Sequence, residues 1–413
     1  MQRRRAHSPA VPARRRRTLV VSVLAAVTLA VACSSTGDAQ QHADTSADTA
    51  PDNPRGTPAA SPPEGEFPGT EWRTVTAADA GMDQAVLDDV AAQAELGDSN
   101  CLVVTRDGRL VGEWYWNGTG PQSTQEVFSA SKSFTSVLAG IASDDGDLQV
   151  SDSASEWIPE WTGTPSEAVT VEHLLNNTSG RFQDFDTDYV QMAALADDKT
   201  AFAIGLDQQS DPGTTWVYNN AAIQTLEAVI GGATGEDVAD FAQQRLFDPL
   251  GMTDSGWARD RAGNPMTFMG VQSTCRDMAR FGLLALNKGN WDGEQIVSED
   301  WMDRSTGESS QDLNSAYGWL WWLNRPGTVL GAETAGGGDG GDSPTESQLV
   351  TGAPEDMFFA QGLGGQVIAI DPGTRTVVAR LGPSTYPPGT DRFTTEDVAR
   401  VATEAVTGPD RAD

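Results

Sequence analysis

The sequence predicts an α/β (α+β) fold: an antiparallel sheet flanked by N- and C-terminal helices, with a helical domain inserted at about 145–310. Three observations predict it. Hairpin signals stand near both ends of the globular stretch, amphipathic helices bracket them, and helical periodicity dominates the middle. Met82 to Leu96 places Val86, Leu87, Val90, Ala91 and Ala94 at helical spacing. Cys101–Thr105 and Leu110–Trp116 then flank Asp107-Gly108, a two-residue hairpin signal. Segments Val171–Leu175, Ala221–Ile230, Glu236–Leu246 and Cys275–Leu286 read as helices. Val367–Ile370 and Thr376–Leu381 flank Asp371-Pro372-Gly373-Thr374 as a second hairpin, and Thr395–Val406 is a closing helix. The Gly/Asp-rich run from Gly336 to Asp342 reads as a loop insertion, not a phosphate cradle. Tyr317-Gly318-Trp319-Leu320-Trp321-Trp322 alternates like a strand.

Residues 1–33 read as a signal peptide with a lipobox-like end. Arg3–Arg5 and Arg14–Arg17 precede an apolar run from Leu19 to Ala32, too short for a stable membrane span. Arg16-Arg17 is also compatible with twin-arginine export. Leu29-Ala30-Val31-Ala32-Cys33 would make Cys33 a lipid anchor; ordinary cleavage leaving a free thiol is the other reading. Residues 34–70 are rich in Ser, Thr, Ala, Asp, Gly and Pro, with too few aliphatics to form a core, and read as a disordered linker. The expected product is exported and extracytoplasmic, held to the membrane only through its N-terminal lipid. A single globular stretch is expected over 71–408.

The formal net charge is −32, and a leader with seven arginines and no acid makes the remainder more negative still. Such a surface repels nucleic acid and anionic headgroups, which argues against either as a ligand. Past Cys33 only Cys101 and Cys275 remain, and both read as buried small hydrophobes rather than a disulfide or metal pair. With no Cys-x-x-Cys and His173 as the one histidine in the globular stretch, no metal site is expected.

The chain has three lysines against 24 arginines. Arginine stays charged at any working pH, whereas a buried lysine can be made neutral and act as a base. Lys132 lies three residues after Ser129. Behind it Phe134, Val137, Leu138 and Ile141 recur at i, i+3, i+4, i+7, and Asp144-Asp145-Gly146 stops the helix. Ser129 is thereby set on the first turn of a buried helix with Lys132 on the same face. The helix N-terminus favours an oxyanion and a neutral amine there. Ser131 and Ser133 point elsewhere. His173, beside Leu174-Leu175, reads as a packed core residue, and Lys199 and Lys288 as solvent-loop lysines. No Gly-x-Ser-x-Gly elbow is present.

Tyr218-Asn219-Asn220 enters the helix beginning near Ala221, and Tyr-x-Asn there can present a phenol and a carboxamide together. Asn219 and Asn220 are both capping types. Ser129-x-x-Lys132 followed by Tyr218-x-Asn220 resembles the serine β-lactamase and penicillin-binding protein superfamily, in particular its class C-like branch of esterases and 6-aminohexanoate-oligomer hydrolases. Leu174–Gly180, Phe247–Met252 and Ser273–Gly282 carry the same resemblance, with Asn177 where that branch usually has His.

The resemblance implies a β-lactamase/transpeptidase-like fold and catalysis by Ser129, Lys132 and Tyr218, supported by Asn220. It further implies an oxyanion hole from the backbone amides of Ser129 and Gln366, and a third-motif strand at Leu363, Gly364 and Gly365. Leu363 stands where a cation or imidazole is common, so an ester or amide is the better substrate than a β-lactam. Lys132 and Tyr218 would titrate as a coupled pair. The expectation is a serine hydrolase acting on a small-molecule or short-peptide substrate through an acyl-enzyme, without cofactor. The rivals are a β-lactamase or D-Ala-D-Ala carboxypeptidase, or a non-catalytic penicillin-binding-like lobe.

Overall fold

In the computed structural model, residues 65–332, 344–386 and 389–407 are described. The expectations for the signal, for Cys33 and for the Gly336–Asp342 loop lie outside those residues.

The core is a six-stranded antiparallel sheet made from both ends of the sequence. Its strands are β1 (Cys101–Arg106), β2 (Arg109–Tyr115), β3 (Trp322–Leu323), β4 (Phe358–Gly362), β5 (Gln366–Asp371) and β6 (Thr376–Leu381), in the order β2-β1-β6-β5-β4-β3. The β1–β6 register runs from Cys101 opposite Leu381 to Arg106 opposite Thr376. Asp107 and Gly108 both take positive φ (51° and 74°), which suits the Asp-Gly turn to a right-twisted hairpin. Every residue of β1, β5 and β6 is buried, so these strands read as apolar runs with helices over both faces.

Helix α1 (Gln84–Leu96) is capped by the Asp83 carboxylate, which accepts from the Ala85 amide. It packs with α5 (Thr395–Glu404), and α5 lies on β5 and β6. Helix α4 (Cys275–Leu286) also lies on β5 and β6, and comes close enough that a Cβ on Gly282 would lie 2.5 Å from Val377 and 2.8 Å from Ile368. Helix α2 (Ser131–Asp145) is buried along nearly its whole length and stops at Gly146 in the left-handed region (φ 86°). Phe134 of α2 stacks on Phe281 of α4 at 3.6 Å, and Phe281 on Trp321 at 5.6 Å. Among the described residues no helix is long and apolar enough to cross a membrane.

Three expectations need correction. Cys101 and Cys275 form a disulfide across 174 residues of sequence, because α4 starts against the first residue of β1. The 317–322 segment is not a continuous strand. Leu320 turns left-handed (φ 60°) and the Gly318 amide folds back to the Trp321 carbonyl at 2.9 Å, leaving only Trp322–Leu323 in the sheet. The folded part also begins before residue 71: the Glu66 amide donates to the Asp107 carbonyl at 2.9 Å, and Phe67 packs edge-on to Trp291 at 5.2 Å.

Candidate active site

The turn that presents Ser129 is strained. Phe128 adopts φ +49°, a conformation a bulky residue rarely accepts, and a short 3-10 turn, Phe128–Ala130, leads into α2. The turn is fixed on one side by the Val127 amide, which donates to the Val271 carbonyl at 3.0 Å. Lys132, one turn on, donates from Nζ to Ser129 Oγ at 2.9 Å and to the Phe268 carbonyl at 2.7 Å. Its ammonium also lies 4.8 Å from the centre of the Tyr218 ring. Burial pulls its pKa down to about 7, against the opposing influence of the Asp188 carboxylate. Ser131 and Ser133 face away: Ser131 Oγ accepts from the Val271 amide, and Ser133 Oγ donates to the Leu320 carbonyl.

Tyr218 is buried and hydrogen-bonded to Ser129, and burial holds its phenol well above the ordinary range. Ser129, Lys132 and Tyr218 are therefore brought together. Trp322 stacks on Tyr218 at 5.9 Å and meets Tyr317 edge-on at 4.9 Å, which fixes the phenol ring.

The two asparagines after Tyr218 divide their work. Asn219 caps helix α3 (Asn220–Gln224), its Oδ1 accepting from the Ala222 amide at 2.8 Å. The Asn220 carboxamide donates from Nδ2 to Asp188 Oδ2 at 2.8 Å. Asp188 also accepts from the Asn220 and Ala221 amides at 3.2 and 2.7 Å. This carboxylate, 1% exposed, is the site residue that sequence reasoning missed. It sits on a π-helical segment, Asp186–Leu195, far from Lys132 in sequence and without a motif of its own.

Asn177, in place of the usual His, has a local reason. It holds φ +59°, which Asn tolerates, while its carbonyl and Oδ1 accept from the Val217 and Asn219 amides. His173 serves elsewhere as a capping partner, Nδ1 accepting from the Thr170 amide at 3.1 Å, and is only half-buried. Lys199 is buried at a helix start, donating to the Ala196 carbonyl, rather than in a solvent loop. Lys288 is exposed and paired with Glu299 and Asp303.

The third-motif expectation is corrected. Leu363, Gly364 and Gly365 form the turn between β4 and β5, because Gly364 and Gly365 both take positive φ (81° and 72°) that no strand accommodates. The strand that passes the serine is β4. A Cβ on its last residue, Gly362, would lie 2.1 Å from the Val127 carbonyl and 3.1 Å from the Ala130 amide. Gln366 stands opposite Gly362 on the first rung of β5, and its carboxamide clamps Gly382 and the Leu363 carbonyl. The Met357 carbonyl accepts from Asn324 on the β3 side, so by alternation Gly362 faces β5 and the Gln366 amide faces Gly362, away from Ser129. Leu363, the next residue along, opens the turn that follows β4. Arg380 braces the turn, donating to the Gly364 and Gly365 carbonyls at 2.7 and 2.9 Å. Among the described residues no group of His, Cys, Asp or Glu is arranged to hold a metal.

Comparison with known proteins agrees with this architecture. The family described as Beta-lactamase matches residues 82–403. The chain is 23% identical over 312 residues to the 6-aminohexanoate-dimer hydrolase of Paenarthrobacter ureafaciens, covering 71% of this chain and 75% of that protein. It is 28% identical over 138 residues to Esterase EstB of Burkholderia gladioli, covering 27% of this chain and 33% of that one. The fold superposes on a penicillin-binding protein homologue from Caulobacter crescentus with a TM-score of 0.56 at 15% identity, covering 77% of this chain and 95% of that one. With the family match spanning nearly all of the described fold, the chain belongs to the beta-lactamase family, within the serine-hydrolase superfamily.

Proposed function

We propose that this protein is a serine hydrolase that cleaves an ester or amide through an acyl-enzyme. Ser129 Oγ attacks the carbonyl carbon while its proton passes to Lys132 Nζ. The amides of Ser129 and Leu363 receive the negative charge that develops on the carbonyl oxygen. As the bond to the leaving group breaks, Tyr218 relays a proton from Lys132 to the departing oxygen or nitrogen. Water then attacks the acyl-Ser129 ester, releasing the acid and restoring the hydroxyl. No cofactor takes part in this sequence. Asp188 holds the Asn220 and Ala221 amides and balances the charge of Lys132.

The observation that carries this reading is the 2.9 Å contact between Ser129 Oγ and a buried amine whose pKa lies at about 7. Such an amine is neutral in part at working pH and can accept the serine proton. The test is hydrolysis of p-nitrophenyl acetate by wild type and Ser129→Ala. We expect the variant to lose at least three orders of magnitude in kcat/KM with an unchanged Tm; a variant that keeps the wild-type rate would refute the assignment.

We further propose that the protein works outside the cytoplasm, tethered through Cys33. The Cys101–Cys275 disulfide favours an oxidising compartment. Labelling of cells with a palmitate analogue should mark the wild type and spare Cys33→Ser; equal labelling of both would remove the lipid anchor from the account.

A further inference from the structure

Arg380, on β6, is fully buried, yet its hydrogen-bond partners are all neutral. Nε donates to Ser99 Oγ at 2.8 Å and Nη2 to the Gly97 carbonyl at 3.4 Å, both between α1 and β1. Nη1 donates to the Gly364 and Gly365 carbonyls and to the Tyr386 hydroxyl at 3.1 Å. Tyr386 in turn donates to the Gly364 carbonyl at 2.5 Å. Asp98 acts on the guanidinium electrostatically, with no ion pair between them among the described residues. Taking a cation out of water without a carboxylate partner is unfavourable, so fold stability is a poor reason for an arginine here. What the guanidinium supplies is a rigid fork of charge-assisted bonds, roughly twice as strong as neutral ones, aimed at one turn.

That turn needs holding. Gly364 and Gly365, both at positive φ, belong to the residue type with the most backbone freedom to lose. The Leu363 carbonyl is held separately by Gln366 Nε2, so buried side chains engage all three carbonyls of the turn. A peptide is planar, and fixing its carbonyl fixes the N–H across it. On one flank, Gly362 abuts the Val127 carbonyl at the base of the Ser129 turn. On the other, Gln366 Oε1 accepts at 3.1 Å from Gln125 Nε2, two residues before Val127. The turn is therefore tied by Arg380 to the α1–β1 connection and bears on the segment that presents Ser129.

Resting on the serine-hydrolase reading above, we propose that Arg380 is a positioning residue for catalysis. Through the Gly364 and Gly365 carbonyls it holds the 363–365 turn, which supplies one oxyanion amide in that reading, against the Ser129 turn. Its bonds end at the backbone, so it reaches the reaction only through the turn. The turn matters most when charge collects on the substrate carbonyl oxygen, so loss of Arg380 lowers kcat and spares KM.

The full chain is assayed with p-nitrophenyl acetate as wild type, Arg380→Ala, Arg380→Lys and Tyr386→Phe. We expect Arg380→Ala to lower kcat at least hundredfold with KM within threefold. Millimolar methylguanidinium should restore at least tenfold of that loss, and methylammonium none. Arg380→Lys keeps the charge without the fork and should stay at least tenfold below wild type. Tyr386 is half-buried, and Tyr386→Phe should lower kcat at least threefold with Tm nearly unchanged. The pH limb near 7 should stay in place throughout, because Lys132 is untouched. Either the methylguanidinium repair or the Tyr386→Phe loss at constant KM supports the role. Absence of both overturns it, as does a folded Arg380→Ala with kcat within threefold of wild type. In each of these cases wild-type turnover of acetate upholds the hydrolase reading. A wild type inert to acetate, with Ser129 unmodified by a small fluorophosphonate in folded protein, defeats that reading and this proposal with it.

Discussion

At the scale of residues, the chemistry turns on one amine. Lys132 is buried, bonded to Ser129 and held at about 7 by desolvation, with Asp188 resisting the fall. The free-enzyme kcat/KM should therefore rise with pH through an apparent pKa near 7. Asp188 raises the lysine value, so Asp188→Asn should move that limb to lower pH; a limb that stays in place or moves upward would contradict its role. The stability consequence has the opposite sense from a salt-bridged lysine. A native pKa below the unfolded value costs most below about pH 7, and the cost fades as pH rises toward the unfolded value. Lys132→Met should accordingly raise Tm more at pH 6 than at pH 9, measured by scanning calorimetry. Ser129 and Lys132 were legible because the pair is local, one helical turn apart. Asp188 was not, because its contact with Asn220 spans 32 residues and exists only once the helical segments pack.

At the scale of elements, the hairpins at 101–116 and 366–381 followed from period-two patterning and turn chemistry, and the structure has both. Where local conformation departs from its propensity, the sequence misled. Leu320 in the left-handed region broke an apparent aromatic strand, and two positive-φ glycines placed Leu363–Gly365 in a turn one step beyond the strand that meets the serine. Gly362 is the tightest point of that meeting. Gly362→Ala would drive a methyl into the Val127 carbonyl, 2.1 Å away, and displace β4 from the Ser129 turn. Overpacking of this kind costs about 1–3 kcal/mol. We expect kcat to fall at least a hundredfold while circular dichroism stays native; near-wild-type kcat would show that β4 does not shape the site.

At the scale of the whole molecule, the two ends of the chain close one sheet around a largely helical middle, and the disulfide ties the first strand to α4 across that middle. Removing it with Cys101→Ser and Cys275→Ser should cost about 2–5 kcal/mol, read as a lower urea midpoint; an unchanged midpoint would mean that the pair does not form. The sheet's composition was legible from hydrophobic patterning at both ends. The Cys101–Cys275 pairing was not, since two cysteines 174 residues apart carry no spacing signal. The helical middle sets Asp188 and Tyr218 against α2, which belongs to the region just before it, so the active site exists only in the assembled fold.

The central claim is that a near-neutral Lys132 makes Ser129 a nucleophile. Its most direct measurement is the rate at which a small fluorophosphonate modifies the folded full chain, followed by mass spectrometry from pH 5 to 9 in wild type and Lys132→Met. The account predicts a single adduct on Ser129, forming faster as pH rises through about 7 and at least a hundredfold slower in the variant. An unmodified Ser129 in folded protein, or a rate indifferent to both pH and Lys132, would contradict it.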